Sequence, residues 1–218
     1  MVNHSVQSGS HALADRGLDL YSTPPGAVRA LLKVEPMPHG VWEPAAGRGA
    51  IVNVLRDAGH AVIASDIFDY GFPLHFVSDF LAQTRMPETC ACILTNPPYA
   101  RPILQPFIEH ALDLSPKVVV LARLPFLEGV GRSAILERRG LARVFVFRDR
   151  LPMMHRDSWT GPKAKSATAY AWFVWGREHR GRLLSIAFPT PRFMAEASSS
   201  YASPIDVDRF TDCVRAQR

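Results

Sequence analysis

The sequence predicts an α/β fold, a mostly parallel sheet layered between helices. Three observations carry this. Short apolar runs alternate with stretches of helical spacing along most of the chain. The run at 41–45 leads into a glycine-rich turn and then a helical pattern, the strand–turn–helix unit of dinucleotide-type folds. Four polar residues, Glu43, Asp66, Asp79 and Asn96, fall at or near the ends of four successive apolar runs. Ligands of open α/β sheets bind beyond the carboxyl ends of the strands, where strand order reverses, so these four residues are expected to share one site.

Bulk properties agree. A chain of 218 residues suits one domain with a sizeable core. Apolar residues make up 47% and charged residues 21%, the balance of a globular chain rather than a disordered one. No run of 18 apolar residues is present, so no membrane span is expected. Residues 1–20 lack an apolar signal core; they read as a flexible arm, and the protein as cytoplasmic. Residues 21–188 form the domain. Residues 189–218 are a Pro- and Ser-rich tail with a short helical stretch at 205–215. Cys90, Cys92 and Cys213 make no disulfide framework, and the histidines are scattered, so no metal site is expected. A net charge of +5 and a pI near 9.4 give a mild bias toward polyanions.

Taken in order, Tyr21-Ser22-Thr23-Pro24-Pro25 precedes a helical pattern at 27–33; Thr23 can cap it and Pro24 can occupy its first turn. The first strand, 41–45, ends in Glu43-Pro44-Ala45-Ala46-Gly47-Arg48-Gly49, and a helix follows at 51–58. Gly47 and Gly49 allow close backbone approach to a ligand. The second strand, 61–65, ends at Asp66, which is either a solvated strand-end carboxylate or an acceptor for two ribose hydroxyls. A short strand at 74–77 ends in Ser78-Asp79-Phe80. The fourth, 90–95, runs into Asn96-Pro97-Pro98-Tyr99, and a helix follows at about 102–114. Two prolines stiffen this turn and leave carbonyls to accept; the Asn96 oxygen is another acceptor, and Tyr99 offers a flat face. Such a cluster suits gripping a planar amino group by both protons. Residues 117–122 read as a buried parallel strand, 132–139 as a helix, 142–147 and 167–175 as the last strands. That makes seven strands, with helices between the first six.

The Asn-Pro-Pro-Tyr stretch resembles the catalytic tetrapeptide of AdoMet-dependent amino-methyltransferases, above all the N6-adenine DNA methyltransferases, small prophage-type members in particular. Carried over, the family's two acceptor roles fall on Asn96 and Pro97, base stacking on Tyr99, and Pro98 completes the motif. Tyr21, Thr23 and Pro24 match an aromatic-x-Thr-Pro element that packs over the methionine end of AdoMet. Residues 43–49 resemble motif I, whose loop wraps the amino-acid part of AdoMet; Glu43 would help hold the ammonium, with Ala45, Gly47 and Gly49 in the loop. The same resemblance assigns the ribose to Asp66 with Ile67 beside it, the adenine amine to Asp79, and packing on the adenine ring to Phe80. It implies AdoMet as cofactor, no metal, and a Rossmann-like class I methyltransferase fold. That fold is a three-layer αβα sandwich whose last strand runs antiparallel between the fifth and sixth.

Substrate readings stay broader. The segment 148–166 carries Arg150, Arg156, Lys163 and Lys165 around Trp159, which suits either a phosphate-tracking loop or a merely solvated one. Phe126, at another strand end, is a further candidate base contact. Nothing in the chain has the size of a dedicated target-recognition region, so specificity is low, supplied by a partner, or a matter of substrate shape. DNA is favoured. RNA adenine methylation, glutamine methylation of a protein, and a non-catalytic nucleic-acid-binding subunit share the motif and stand as alternatives. Oligomeric state is not legible.

Overall fold

The computed structural model describes residues 20–100, 102–138, 140–153, 168–177, 179 and 185–187. In chain order these form α1 (Pro25–Val34), β1 (Gly40–Glu43), α2 (Ala50–Asp57), β2 (Ala61–Asp66), β3 (Phe76–Val77) and β4 (Cys92–Thr95). There follow α3 (Leu104–Leu114), β5 (Lys117–Arg123), α4 (Ser133–Arg138), β6 (Leu141–Val146), β7 (Tyr170–Gly176) and β8 (Ser185–Ala187). All the strands join one sheet in the order β3-β2-β1-β4-β5-β7-β6-β8. β1 pairs in parallel with β2 and β4, β2 with β3, and β4 with β5. β7 lies antiparallel between β5 and β6. The first seven strands therefore have the topology expected of the Rossmann-like methyltransferase fold. The eighth, β8, was not foreseen; it pairs parallel to β6 from Arg143↔Ser185 onward, inside the expected domain boundary.

Successive strand residues face opposite sides, which divides the core into two layers. Val41, Leu94, Val119, Leu121, Trp172 and Val174 pack with α1 and α2. Trp42, Ile93, Val118, Val120, Phe173 and Trp175 pack with Phe107 and Ile108 of α3 and Ile135 of α4. Because both faces are covered, central strands are apolar throughout rather than alternating, as in β7, buried from Tyr170 to Trp175. α2 buries Ile51, Val52, Val54 and Leu55, one side of a helix, against the sheet. Gly40 opens β1 where the chain before β4 crosses it; a Cβ there would sit 1.8 Å from the Thr89 carbonyl oxygen.

Two expectations about helices are corrected. Thr23 does not cap α1: Pro24 holds the cap position with no side-chain cap bond, and Thr23 is buried. Nor do helices fill every early crossover. Residues 67–75, between β2 and β3, turn tightly instead, with Asp69 Oδ1 accepting from the Gly71 amide at 2.8 Å and Gly71 at φ +77. Only a 3₁₀ turn, Phe80–Ala82, follows β3.

Away from the carboxyl edge of the sheet, one buried carboxylate ties three elements. Glu35, at the end of α1, is 1% exposed. Its Oε1 accepts from Lys117 Nζ at 2.6 Å, and Arg143 of β6 grips both oxygens at 2.6 and 2.8 Å. Glu35→Ala would strand two half-buried cations that can still reach water. A loss of about 3 kcal/mol is expected, the low end for breaking a buried pair. Urea unfolding should show a lower midpoint with an unchanged slope.

Candidate functional site

β1 has β2 on one side and β4 on the other, so the loops leaving β1 and β4 part company at its carboxyl end. A cavity of about 460 Å³ opens there, within the range of small-molecule sites. It is lined by Tyr21, Thr23, Ala45, Gly47, Asp66, Ile67, Asp79, Phe80, Asn96 and Pro98, all candidates from the sequence. Leu20, Arg48, Phe68, Tyr70, Leu81, Ile103 and Phe107 line it too and were not foreseen. They are ordinary side chains in turns and on a helix, and only their proximity to strand ends could have pointed to them.

The loop after β1 is pinned from the next strand. Gly47, at φ +52, donates its amide to Asp66 Oδ2 at 2.8 Å. Asp66 Oδ1 accepts from the Phe68 amide at 3.1 Å. Burial is the largest influence on Asp66 and raises its pKa, the backbone bonds opposing. Each carboxylate oxygen can accept more than one bond, so the pair retains capacity for a ligand hydroxyl. Gly49 has a different task from the one expected. It sits at φ +77 as the cap of α2, and a Cβ would lie 2.1 Å from the ring of Phe72, so a side chain rather than a ligand claims the space.

Asp79 caps the 3₁₀ turn through Oδ1, which accepts from the Leu81 amide at 2.9 Å, while the residue stays exposed at the cavity. Phe80 is buried against Phe107 and Trp42, with ring centroids 4.4 and 5.2 Å away. Ile67, Phe68, Leu81 and Ile103, between 40% and 52% exposed, give this end of the cavity an apolar rim. Apolar residues beside one carboxylate suit a flat ring carrying an amino group.

Glu43 does not line the cavity. It is wholly buried at the end of β1, with Oε1 accepting from the Ala45 amide at 3.3 Å. Among the described residues Oε2 and the neighbouring Thr95 hydroxyl fall short of hydrogen-bond geometry, but the hydroxyl stands close enough to Glu43 to favour its charged form. Burial pushes the carboxyl up to about 8, the nearby Asp66 charge adding a little and Thr95 and Ala45 opposing. A buried carboxylate oxygen lacking a partner fits a cation held nearby, directly or through water. The lining therefore fits AdoMet at two parts, Asp66 for the ribose and Asp79 with the apolar rim for the adenine; Glu43 stands behind the lining, from where only a water-mediated contact to the ammonium is open.

At the motif itself, Asn96 is half-buried and Pro97 buried. Asn96 Nδ2 donates to the Tyr21 carbonyl at 2.9 Å. Tyr99 is turned inward. Its hydroxyl reaches Asn96 Oδ1 and, at 3.1 Å, the Leu121 carbonyl. Its ring lies 5.5 Å from Tyr21 and 5.9 Å from Tyr170, and the Arg123 guanidinium stands 5.3 Å over it. The open stacking face expected of Tyr99 is thus already covered. Pro24, at the α1 cap, is near the cavity in sequence but not among its lining residues.

The expected substrate contacts divide. Phe126 is 3% exposed and packs in the core on Phe173 and Trp175, so it is not a base contact; the strand-end position misled because a 3₁₀ turn folds it inward. Arg150 is exposed beyond β6. Arg156, Trp159, Lys163 and Lys165 lie outside the described residues, as do Cys213 and the tail. Among the described residues Cys90 and Cys92 are free thiols, and no helix is long and apolar enough to cross a membrane.

Solved structures share this architecture. PH1948 of Pyrococcus horikoshii, reported as a candidate RNA methyltransferase, aligns with a TM-score of 0.56 at 16% identity over 74% of this chain and 88% of its own. The chain has the class I methyltransferase fold. Atu636 of Agrobacterium tumefaciens, a candidate O-methyltransferase, aligns at 0.50 and 12% identity over 88% of this chain and 95% of its own. A candidate hemolysin of Lactococcus lactis aligns at 0.50 and 11% identity over 78% and 93%. These three descriptions name different activities, so the likeness carries the fold and not a substrate. Sequence comparison finds no matching family model and no matching curated protein.

Glu43 yields a prediction in pH. Its folded pKa, about 8, lies above the ordinary 4.5, so the folded state holds a proton that the unfolded chain releases. That stabilisation is complete below about pH 4.5 and is lost as pH rises toward 8. Stability of the ligand-free protein should fall across this window, and Glu43→Gln should flatten the fall. AdoMet binding should release a proton below pH 8, seen by calorimetry in buffers of different ionisation enthalpy, and the variant should abolish that release.

Proposed function

We propose that this protein transfers a methyl group from AdoMet to an exocyclic amine of a nucleic-acid base, N6 of adenine in DNA in the first instance. The observation that carries the reading is that Asn96 and Pro98 line the same cavity as Gly47, Asp66 and Asp79, so an amine acceptor adjoins the cofactor-type pocket.

AdoMet, when bound, supplies an electrophilic methyl on a positively charged sulfur. The residues supply alignment. A base amine is a weak nucleophile because its lone pair is shared with the ring. Asn96 Oδ1 and the Pro97 carbonyl accept its two protons, which favours a tetrahedral nitrogen and returns electron density to the lone pair. No strong general base is needed; the proton leaves to water after transfer. Preorganised dipoles and a held geometry account for most of the rate.

A base within a duplex is out of reach and has to be flipped out. Tyr99 then needs an open face. The Arg123 guanidinium over its ring is held by a cation–π contact worth about 0.5–1 kcal/mol at an exposed site, and by a hydrogen bond to the Tyr170 side chain. Base–aromatic stacking, worth about 1–3 kcal/mol, competes with these contacts, so an entering base has to displace the guanidinium. Arg150 and the basic segment from Arg156 to Lys165 would add backbone contacts. They would serve RNA as well, which makes RNA adenine methylation the second reading, in keeping with the description of the Pyrococcus horikoshii structure.

The purified chain with tritiated AdoMet, offered duplex DNA, single-stranded DNA and tRNA, should label one of the three. Asn96→Ala should lower labelling by a hundredfold or more, at roughly the cost of a lost transition-state hydrogen bond, with AdoMet affinity nearly kept. Labelling only of protein would sink the nucleic-acid reading, and AdoMet binding without any transfer would leave a binding subunit.

A further inference from the structure

Asparagine has a weakness as an amine acceptor. Its side-chain amide is nearly symmetric in shape, and a half-turn about the last bond puts NH₂ where the oxygen should be. A donor facing the substrate's own donors would repel it. Something has to hold Asn96 in one of the two orientations.

Two contacts do so. The Tyr21 carbonyl can only accept, and Asn96 Nδ2 donates to it at 2.9 Å; turned the other way, two oxygens would meet. The Tyr99 hydroxyl donates its single proton to Asn96 Oδ1 from the other end. Leu121 O, fixed in the β5–β7 ladder and 3.1 Å from the same hydroxyl, is a second acceptor for that one proton. Tyr99 is itself boxed in by Tyr170 and, until a base enters, by Arg123 over its ring; these two residues are direct cross-strand partners in β5 and β7.

We infer that the Tyr99 hydroxyl is a positioning group for Asn96, bracing the amide together with the Tyr21 carbonyl so that Oδ1 keeps one lone pair for the substrate amine. This rests on the reading of Asn96 as the amine acceptor and adds a role for the hydroxyl separate from stacking by the ring. It also joins the site to the cofactor pocket. Leu20, Tyr21, Ser22 and Thr23 line that cavity, and Leu20 Cδ1 lies 2.6 Å from where a Cβ on Gly47 would stand. A ligand that settles this segment settles the carbonyl that orients Asn96.

Tyr99→Phe separates the two roles, since it keeps the ring and removes the hydroxyl. The chain has three asparagines, so selective ¹⁵N-asparagine labelling yields three side-chain amide pairs, and Asn96→Ala identifies the one that matters. In the full-length protein the Asn96 amide protons should exchange slowly with solvent. In Tyr99→Phe they should exchange at least severalfold faster, with the melting temperature lowered by only a few degrees, about the cost of one hydrogen bond. With the labelled substrate, kcat should fall about tenfold, equal to ~1.4 kcal/mol, while KM for nucleic acid and AdoMet affinity stay within about twofold. An unchanged amide signal overturns the inference. So does a rise in KM at constant kcat, which would leave Tyr99 a stacking residue alone. If the wild-type protein methylates no nucleic acid, the substrate reading falls, and the amide exchange still decides whether Tyr99 braces Asn96.

Discussion

The parallel placement of β1 between β2 and β4 is the constraint on which the site depends. It puts Glu43, Asp66 and Asn96 at the carboxyl ends of three neighbouring strands. The Gly47 amide bonded to Asp66 Oδ2 then converts that neighbourhood into a fixed shape, because the loop after β1 cannot move without breaking a buried charge-assisted bond. A non-glycine residue at φ +52 would be strained, so the bond and the residue type are one requirement.

Three carboxylates, two lining the cavity and one buried behind it, occupy three electrostatic settings. Glu43 is wholly buried, and burial holds its carboxyl well above the ordinary range. Asp66 is buried but held by two backbone amides. Asp79 is exposed, with one oxygen turned to a backbone amide. A ligand with a cation at one end, a diol in the middle and an aromatic amine at the other meets a different environment at each point. With two early crossovers reduced to turns, the cavity rim is built from loop side chains such as Ile67 and Phe68 rather than from helices.

Much of this was legible beforehand. Strand ends were marked by polar residues breaking apolar runs, and residues 43–49 located the turn to α2. The helical crossovers were over-read, because residues 67–75 hold turn formers such as Asp69 and Gly71 where a helix was assumed. β8 was missed: its three residues acquire meaning only by pairing with β6. Phe126 was misjudged for the same reason. An aromatic at a strand end reads alike whether it faces solvent or, as here, the stacked rings of Phe173 and Trp175.

What the sequence by itself determined is the order of elements and the chemistry at their ends, since period, proline, glycine and terminal carboxylates are all local signals. Only the tertiary structure decided which way the side chains at those ends face. Tyr99 turns inward because its hydroxyl finds a carbonyl 22 residues away, and Asn96 is oriented by a backbone oxygen 75 residues before it. No local pattern encodes such partners; they exist only once the sheet has brought β4, β5 and the segment before α1 together.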